Sequence, residues 1–161
     1  MMTSTPHRAL ISTPKDREIR IERVFDHSRD RVWRALTEPE LLKQWWGRGR
    51  MTEIETYEFR RGGHWRFVVP GSTGKPEGFE GRFREITAPE KLVMTFEWDG
   101  MPGYVIVQAM ELEALPDGTT RVVTTSQFHT PEERDGMLQS GMQQGMNDSY
   151  AALDRILDTL K

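Results

Sequence analysis

Residues 130–161 read TPEERDGMLQSGMQQGMNDSYAALDRILDTLK, and at this point the chain changes its period. Thr130, Pro131 and Glu133 make a capping box with proline at the first helical position, so a helix starts here. Behind it Leu138, Met142, Gly145 or Met146, Ser149, Leu153, Ile156 and Leu160 step by three or four. That spacing predicts one amphipathic helix of about seven or eight turns, long for a globular domain.

Everything before this helix has a different rhythm. Glu18 to Phe25 alternates apolar and charged residues, as a half-buried strand does. Ser28 can cap a helix over Arg29 to Thr37, with Val32, Trp33 and Leu36 on its apolar face. Pro39 opens a second short helix to Trp46, in which Leu41, Leu42, Trp45 and Trp46 give one apolar face and Gly47 and Gly49 end it. Strand signals then follow one another: Glu53 to Phe59, His64 to Val69, Phe79 to Thr87, Lys91 to Trp98, Tyr104 to Leu115 and Thr119 to Phe128. The turns between them carry Gly, Pro and Asp and are tight, which suits an antiparallel meander.

This order defines an α+β chain. A curved seven-stranded antiparallel sheet has one apolar face to bury, and the long C-terminal helix is the element able to cover it. The two short helices after the first strand close one end. Residues 1–16, with their Ser, Thr and Pro, read as a flexible N-terminal arm, and 17–161 as the domain.

Composition narrows the function classes. The chain has 161 residues, a net charge of −3 and no cysteine. Thiolate metal sites, disulfides and a cysteine nucleophile are excluded. A mildly acidic balance without a basic stripe argues against nucleic acid. The N-terminus has no apolar signal segment and no stretch is long enough to span a membrane, so a cytoplasmic protein is expected. The histidines His7, His27, His64 and His129 form no ligand-spaced pair, and no metal or cofactor is expected. Glu97 and Asp99 flank Trp98, and Glu111 and Glu113 share a strand face. Alternation turns Glu97 away from Met94 and Phe96, so these carboxylates read as solvated. Arg60, Arg61 and Arg66, with Glu53, Glu55 and Glu58 nearby, read as a charged convex face.

The residues aimed at the space between sheet and helix are large and soft. Trp65, Phe67, Phe79, Phe83, Met94, Phe96, Trp98, Met142, Met146 and Tyr150 point there, while Gly141 and Gly145 thin the helix. Such a wall can enclose a cavity instead of a solid core. Gln108, Thr124, Ser126, Ser149 and Tyr150 are the polar groups that could orient a guest or bond to backbone. The parity of Tyr104 to Met110 stays open, because both faces of that strand carry apolar groups.

Several stretches carry a family resemblance. They are Val24-Phe25-Asp26-His27-Ser28-Arg29-Asp30-Arg31-Val32-Trp33, the pair Trp45-Trp46-Gly47, and Phe59-Arg60-Arg61-Gly62-Gly63-His64-Trp65-Arg66-Phe67. Gly81-Arg82-Phe83-Arg84-Glu85-Ile86 with Pro89-Glu90-Lys91-Leu92-Val93, and Ser140-Gly141-Met142-Gln143-Gln144-Gly145-Met146, belong with them. Together they resemble the START-like, SRPBCC superfamily, and within it the branch named for activator of heat-shock protein 90 ATPase homologues. The resemblance runs from about Ile19 to Leu160. It implies the helix-grip fold and adds an apolar cavity under the terminal helix. The superfamily holds lipid carriers, receptors and cyclases, so fold alone does not choose among functions.

The expected function is binding of an apolar or amphipathic small molecule, with Trp46, Trp65, Phe67, Phe83, Met94, Phe96, Trp98, Met142, Met146 and Tyr150 as ligand-binding residues and no assigned catalytic residue. Two alternatives follow from the resemblance. One is a chaperone ATPase-activator-like interaction module, although only Met1 to Arg17 precede the first strand here, where the eukaryotic activator has a separate chaperone-binding domain. The other is a polyketide cyclase or hydrolase, with Tyr150, Tyr104 or Glu97 as its acid or base. An edge strand and Trp45-Trp46 offer a patch that could serve an isologous homodimer, and the sequence does not decide whether one forms.

Overall fold

The computed structural model of the chain describes residues 8–71 and 73–160. Its strands are β1 (Leu10–Ser12), β2 (Glu18–Phe25), β3 (Glu53–Tyr57), β4 (His64–Pro70), β5 (Pro76–Thr87), β6 (Lys91–Trp98), β7 (Ile106–Ala114) and β8 (Thr120–Gln127). All pairings are antiparallel, in the order β1-β2-β8-β7-β6-β5-β4-β3. From β3 to β8 the sheet is a meander, and β2 closes onto β8. Register shifts at Ile54/Thr56 in β3 and Phe83/Glu85 in β5 bend it, as bulges do. The sheet is thus curved, as the sequence predicts, but among the described residues it has eight strands rather than seven. The extra strand is β1, where Ile11 pairs with Ile21 on the edge of β2. Three residues are too few to show a period, and the pairing is drawn out by the open backbone groups of β2. It lies in the stretch read as a flexible arm, of which residues 1–7 fall outside the described residues.

Two short helices follow β2. In α1 (Arg29–Thr37) Ser28 Oγ accepts from the Arg31 amide, and Val32, Trp33 and Leu36 are buried. The second helix, α2, covers Pro39–Leu42 and stops short of the expected Trp46. The chain goes on in single turns, with Gln44 N–H donating to Leu41 O and Trp45 N–H to Leu42 O. Both tryptophans still enter one apolar cluster, Trp45 buried and Trp46 half-buried. Trp45 turns into the core and donates from Nε1 to Ala35 O at 2.8 Å.

The terminal helix is the second correction. It is not continuous: α3 (Pro131–Gln139) is followed by α4 (Met142–Thr159). Thr130 caps α3, its Oγ1 accepting from the Glu133 amide and donating to the Glu133 carboxylate. At the break Gly141 has φ 85°, a left-handed conformation that ends a helix and costs glycine little. Leu138 and Met142 keep helical spacing across the break, so periodicity alone does not reveal it.

The core has a dense end. Leu153 and Leu157 of α4 are fully buried, with Val32 and Ala35 of α1 in the same apolar cluster. Arg23 of β2 forms a bidentate pair with Asp154 at 2.6 and 2.7 Å, and its guanidinium lies over the Phe25 ring. His27 Nε2 lies 2.9 Å from Asp158. These contacts fix the C-terminal half of α4 to the sheet.

Candidate functional site

Toward the N-terminal half of α4 the filling is smaller: Ile19, Ile21, Ile106 and Phe128 form a second cluster against which Met142, Met146 and Tyr150 pack. A cavity of about 500 Å³ lies between the concave face of the sheet and the helix. Trp65 and Phe67 of β4, Phe83 of β5, and Met94 and Phe96 of β6 form its floor, and Met142, Met146 and Tyr150 of α4 its roof. Trp46 enters from the loop after α2, edge-on to Phe67 at 5.1 Å and to Phe79 at 5.2 Å between ring centres. The tenth expected residue, Trp98, is not in this wall. It sits at the end of β6, where its indole packs over Gly100. Alternation gives it the right parity, but a strand's last residue has left the concave part of the sheet. Phe79, Ile106 and Met110 are walls that the expected ligand-binding set does not include.

The polar residues divide. Gln108 lines the cavity and donates to Ser126 Oγ at 3.4 Å, which settles the parity of β7. The Tyr150 hydroxyl lies near that of Thr124, and both residues line the cavity. Burial pushes the Tyr150 hydroxyl above its ordinary value, and Thr124 and the Arg23 guanidinium oppose that shift without cancelling it. Near neutral pH Tyr150 is therefore an un-ionised hydrogen-bonding group. Ser149 is a structural residue. Its Oγ donates to Trp46 O and accepts from the Arg48 amide, both at 3.1 Å.

Sequence reading missed the charged residues of the wall. The lining residues that stand in open solvent are Arg48, Arg50 and Pro70, so the opening is there. Residues 47–50 form a tight turn in which the Arg50 amide donates to Gly47 O at 3.0 Å. Its central residues, Arg48 and Gly49, have φ 62° and 82°. A Cβ on Gly47 would lie 2.8 Å from both Thr52 Oγ1 and Val69 Cγ1, so the glycine lets the turn seat against β4. From sequence these glycines read only as helix ends. Two arginines between and beside them, straight after a tryptophan pair, are the signal that was available.

The other candidates lie elsewhere. Tyr104 is 49% exposed, and Glu97 accepts from the Gly103 amide outside the cavity. His64 pairs with Glu80, and Arg66 with Glu55, Glu80 and Asp99, on the outer face of the sheet. The Arg66 guanidinium holds the Asp99 carboxyl below its ordinary value. Glu111 and Glu113 are exposed. His7 lies outside the described residues. Among the described residues no three His, Cys, Asp or Glu side chains gather as metal ligands do. No helix among them is long and apolar enough to cross a membrane.

A curved antiparallel sheet closed by a C-terminal helix is the helix-grip class. The chain belongs to the family described as Activator of Hsp90 ATPase homolog 1-like protein, whose family model matches residues 26–158. A crystal structure of a Rhodobacter sphaeroides protein is similar over 96% of this chain and all of its own, with 27% identity and a TM-score of 0.86. A solution structure from Arthrobacter aurescens gives 24% identity and a TM-score of 0.82, covering 94% of this chain and 92% of that one. A Mycobacterium smegmatis crystal structure keeps a TM-score of 0.83 at only 16% identity, covering 97% and 99%. At such identities the likeness establishes the fold, and no reaction comes with it. No protein of curated function matches the chain.

Proposed function

We propose that the protein binds a small apolar or amphipathic molecule in the cavity beneath α4 and works as a carrier or sensor of it. The observation that supports this is the cavity itself: about 500 Å³ walled mainly by aromatic and methionine side chains, within the size range of small-ligand sites. Burying about 200 Å² of apolar ligand surface contributes roughly 5 kcal/mol before ordering and desolvation are subtracted. Gln108 and Tyr150 supply the few polar contacts that orient a guest. Of the three acid or base candidates only Tyr150 faces the cavity, and a phenol that burial keeps protonated does not serve as a base at neutral pH.

The test is titration with phenylnaphthylamine, an uncharged apolar dye. Saturable binding with a stoichiometry of about one is expected, and Met142→Arg, at a half-buried position on the roof, should remove it while the thermal melt stays cooperative. Absence of saturable binding by the intact protein refutes the proposal. Phe96→Arg, placed on the floor, gives an independent second variant.

A further inference from the structure

We propose that the ligand is an amphipathic oxyanion, its apolar body between Trp46, Phe96 and Met146 and its charged head group at Arg48 and Arg50. This rests on the cavity reading above and names the class of molecule that the cavity takes.

Deep in the cavity the polar groups are neutral: Gln108, Thr124, Ser126 and Tyr150. The nearest buried cation is Arg23, whose guanidinium carbon is 5.7 Å from the Tyr150 ring centre, and Asp154 already holds it through two hydrogen bonds. An anion at the bottom would be desolvated without a counter-charge, which is costly. At the opening the situation reverses. Arg48 and Arg50 both line the cavity there and both reach solvent. A head group at that level keeps part of its hydration and meets guanidinium donors shaped for oxyanions.

These two arginines are also uncommitted. Arg23 and Arg66 are spent on carboxylates. Among the described residues no carboxylate comes within ion-pair distance of Arg48 or Arg50, and the Arg50 guanidinium donates to Pro70 O at 3.3 Å. Among the described residues Glu77 is the one carboxylate lining the cavity, so two arginines meet one negative charge there. Arg155 of α4 adds a third positive group behind the turn, its Nη2 3.5 Å from where a Gly49 Cβ would be.

The position of Arg48 is built. Arg48 is a non-glycine residue in the left-handed region, a conformation that L side chains rarely adopt. The turn keeps it there through the Arg50–Gly47 hydrogen bond and the Ser149 hydroxyl on the Arg48 amide. Its guanidinium crosses α4 at Gly145, where a Cβ would lie 2.7–2.9 Å from Nε, Cζ and Nη2. The missing side chain on the helix leaves the room that the arginine occupies.

Two dyes with the same apolar body separate this from the cavity reading: anilinonaphthalene sulfonate and uncharged phenylnaphthylamine. The sulfonate should bind at least about tenfold tighter, equivalent to about 1.4 kcal/mol. In the double variant Arg48→Gln/Arg50→Gln the ratio of the two affinities should fall to within about threefold, and Glu77→Gln should raise it. A ratio near one in the unaltered protein, or a ratio unmoved by the double variant, overturns the oxyanion assignment while leaving the cavity reading intact. If neither dye binds saturably, both fall.

Discussion

The two halves of α4 lie against the same sheet and do opposite things. In the C-terminal half Ala152, Leu153 and Leu157 are buried, and Arg23–Asp154 and His27–Asp158 tie the backbone down. In the N-terminal half Met142 and Met146 are only half-buried, face a void, and follow a glycine with no side-chain cap. The small α1 helix explains much of the difference. It fills the space beside Leu153 and Leu157, whereas Met142 and Met146 pack against a smaller apolar cluster, Ile19, Ile21, Ile106 and Phe128, beside α3, which buries none of its residues. One helix thus serves as core at one end and as roof at the other. Methionine suits the roof, because it adapts to a filled or an empty space.

The largest effect that would break this comparison concerns the dense end. Leu153→Ala should cost about 2–5 kcal/mol, while Met146→Ala, which enlarges an existing void, should cost less than about 1.5 kcal/mol. Urea unfolding of both variants checks this, and equal losses would mean that the two halves are packed alike. A smaller effect sharpens the contrast at the opening. Gly145→Ala should raise stability by up to about 1 kcal/mol through helix propensity. The same methyl group displaces the Arg48 guanidinium, so the preference for the sulfonate dye should fall. A melt combined with the two-dye titration separates these opposing outcomes.

The smallest effect lies on the far side of the sheet. Asp99→Asn removes one of the three carboxylates that pair with Arg66, and Asp99 is 44% exposed, so the loss should stay under about 1 kcal/mol. Arg66 lowers the Asp99 pKa, so this contribution is complete above the unfolded value of 3.8 and fades as pH falls through the lower folded value. Denaturation curves of the variant and the parent should therefore differ at pH 7 and converge toward strong acid.

Much of the fold was legible because its signals are local. Glu18–Phe25, Arg29–Thr37 and Lys91–Trp98 have the bounds that alternation and helical spacing predict. The walls were legible for the same reason: Trp65, Phe67, Phe83, Met94 and Phe96 sit on one side of alternating strands. The misreadings occur where locality fails. Trp98 has the right parity at the wrong place along the strand. The second helix ends at Leu42, short of Trp45 and Trp46, although both tryptophans still reach one apolar cluster. Residues 137–142 keep the period of a helix while Gly141 interrupts its backbone.

The amino-acid order by itself determined an antiparallel sheet, an amphipathic C-terminal segment and a soft aromatic interior, because each follows from which residues are apolar and at what interval. Only the tertiary structure decided that the interior is hollow at one end and opens beside Arg48 and Arg50. A void is space that several elements together fail to fill. A charge at its mouth acquires meaning only when a turn, a serine and a glycine from distant segments hold it there.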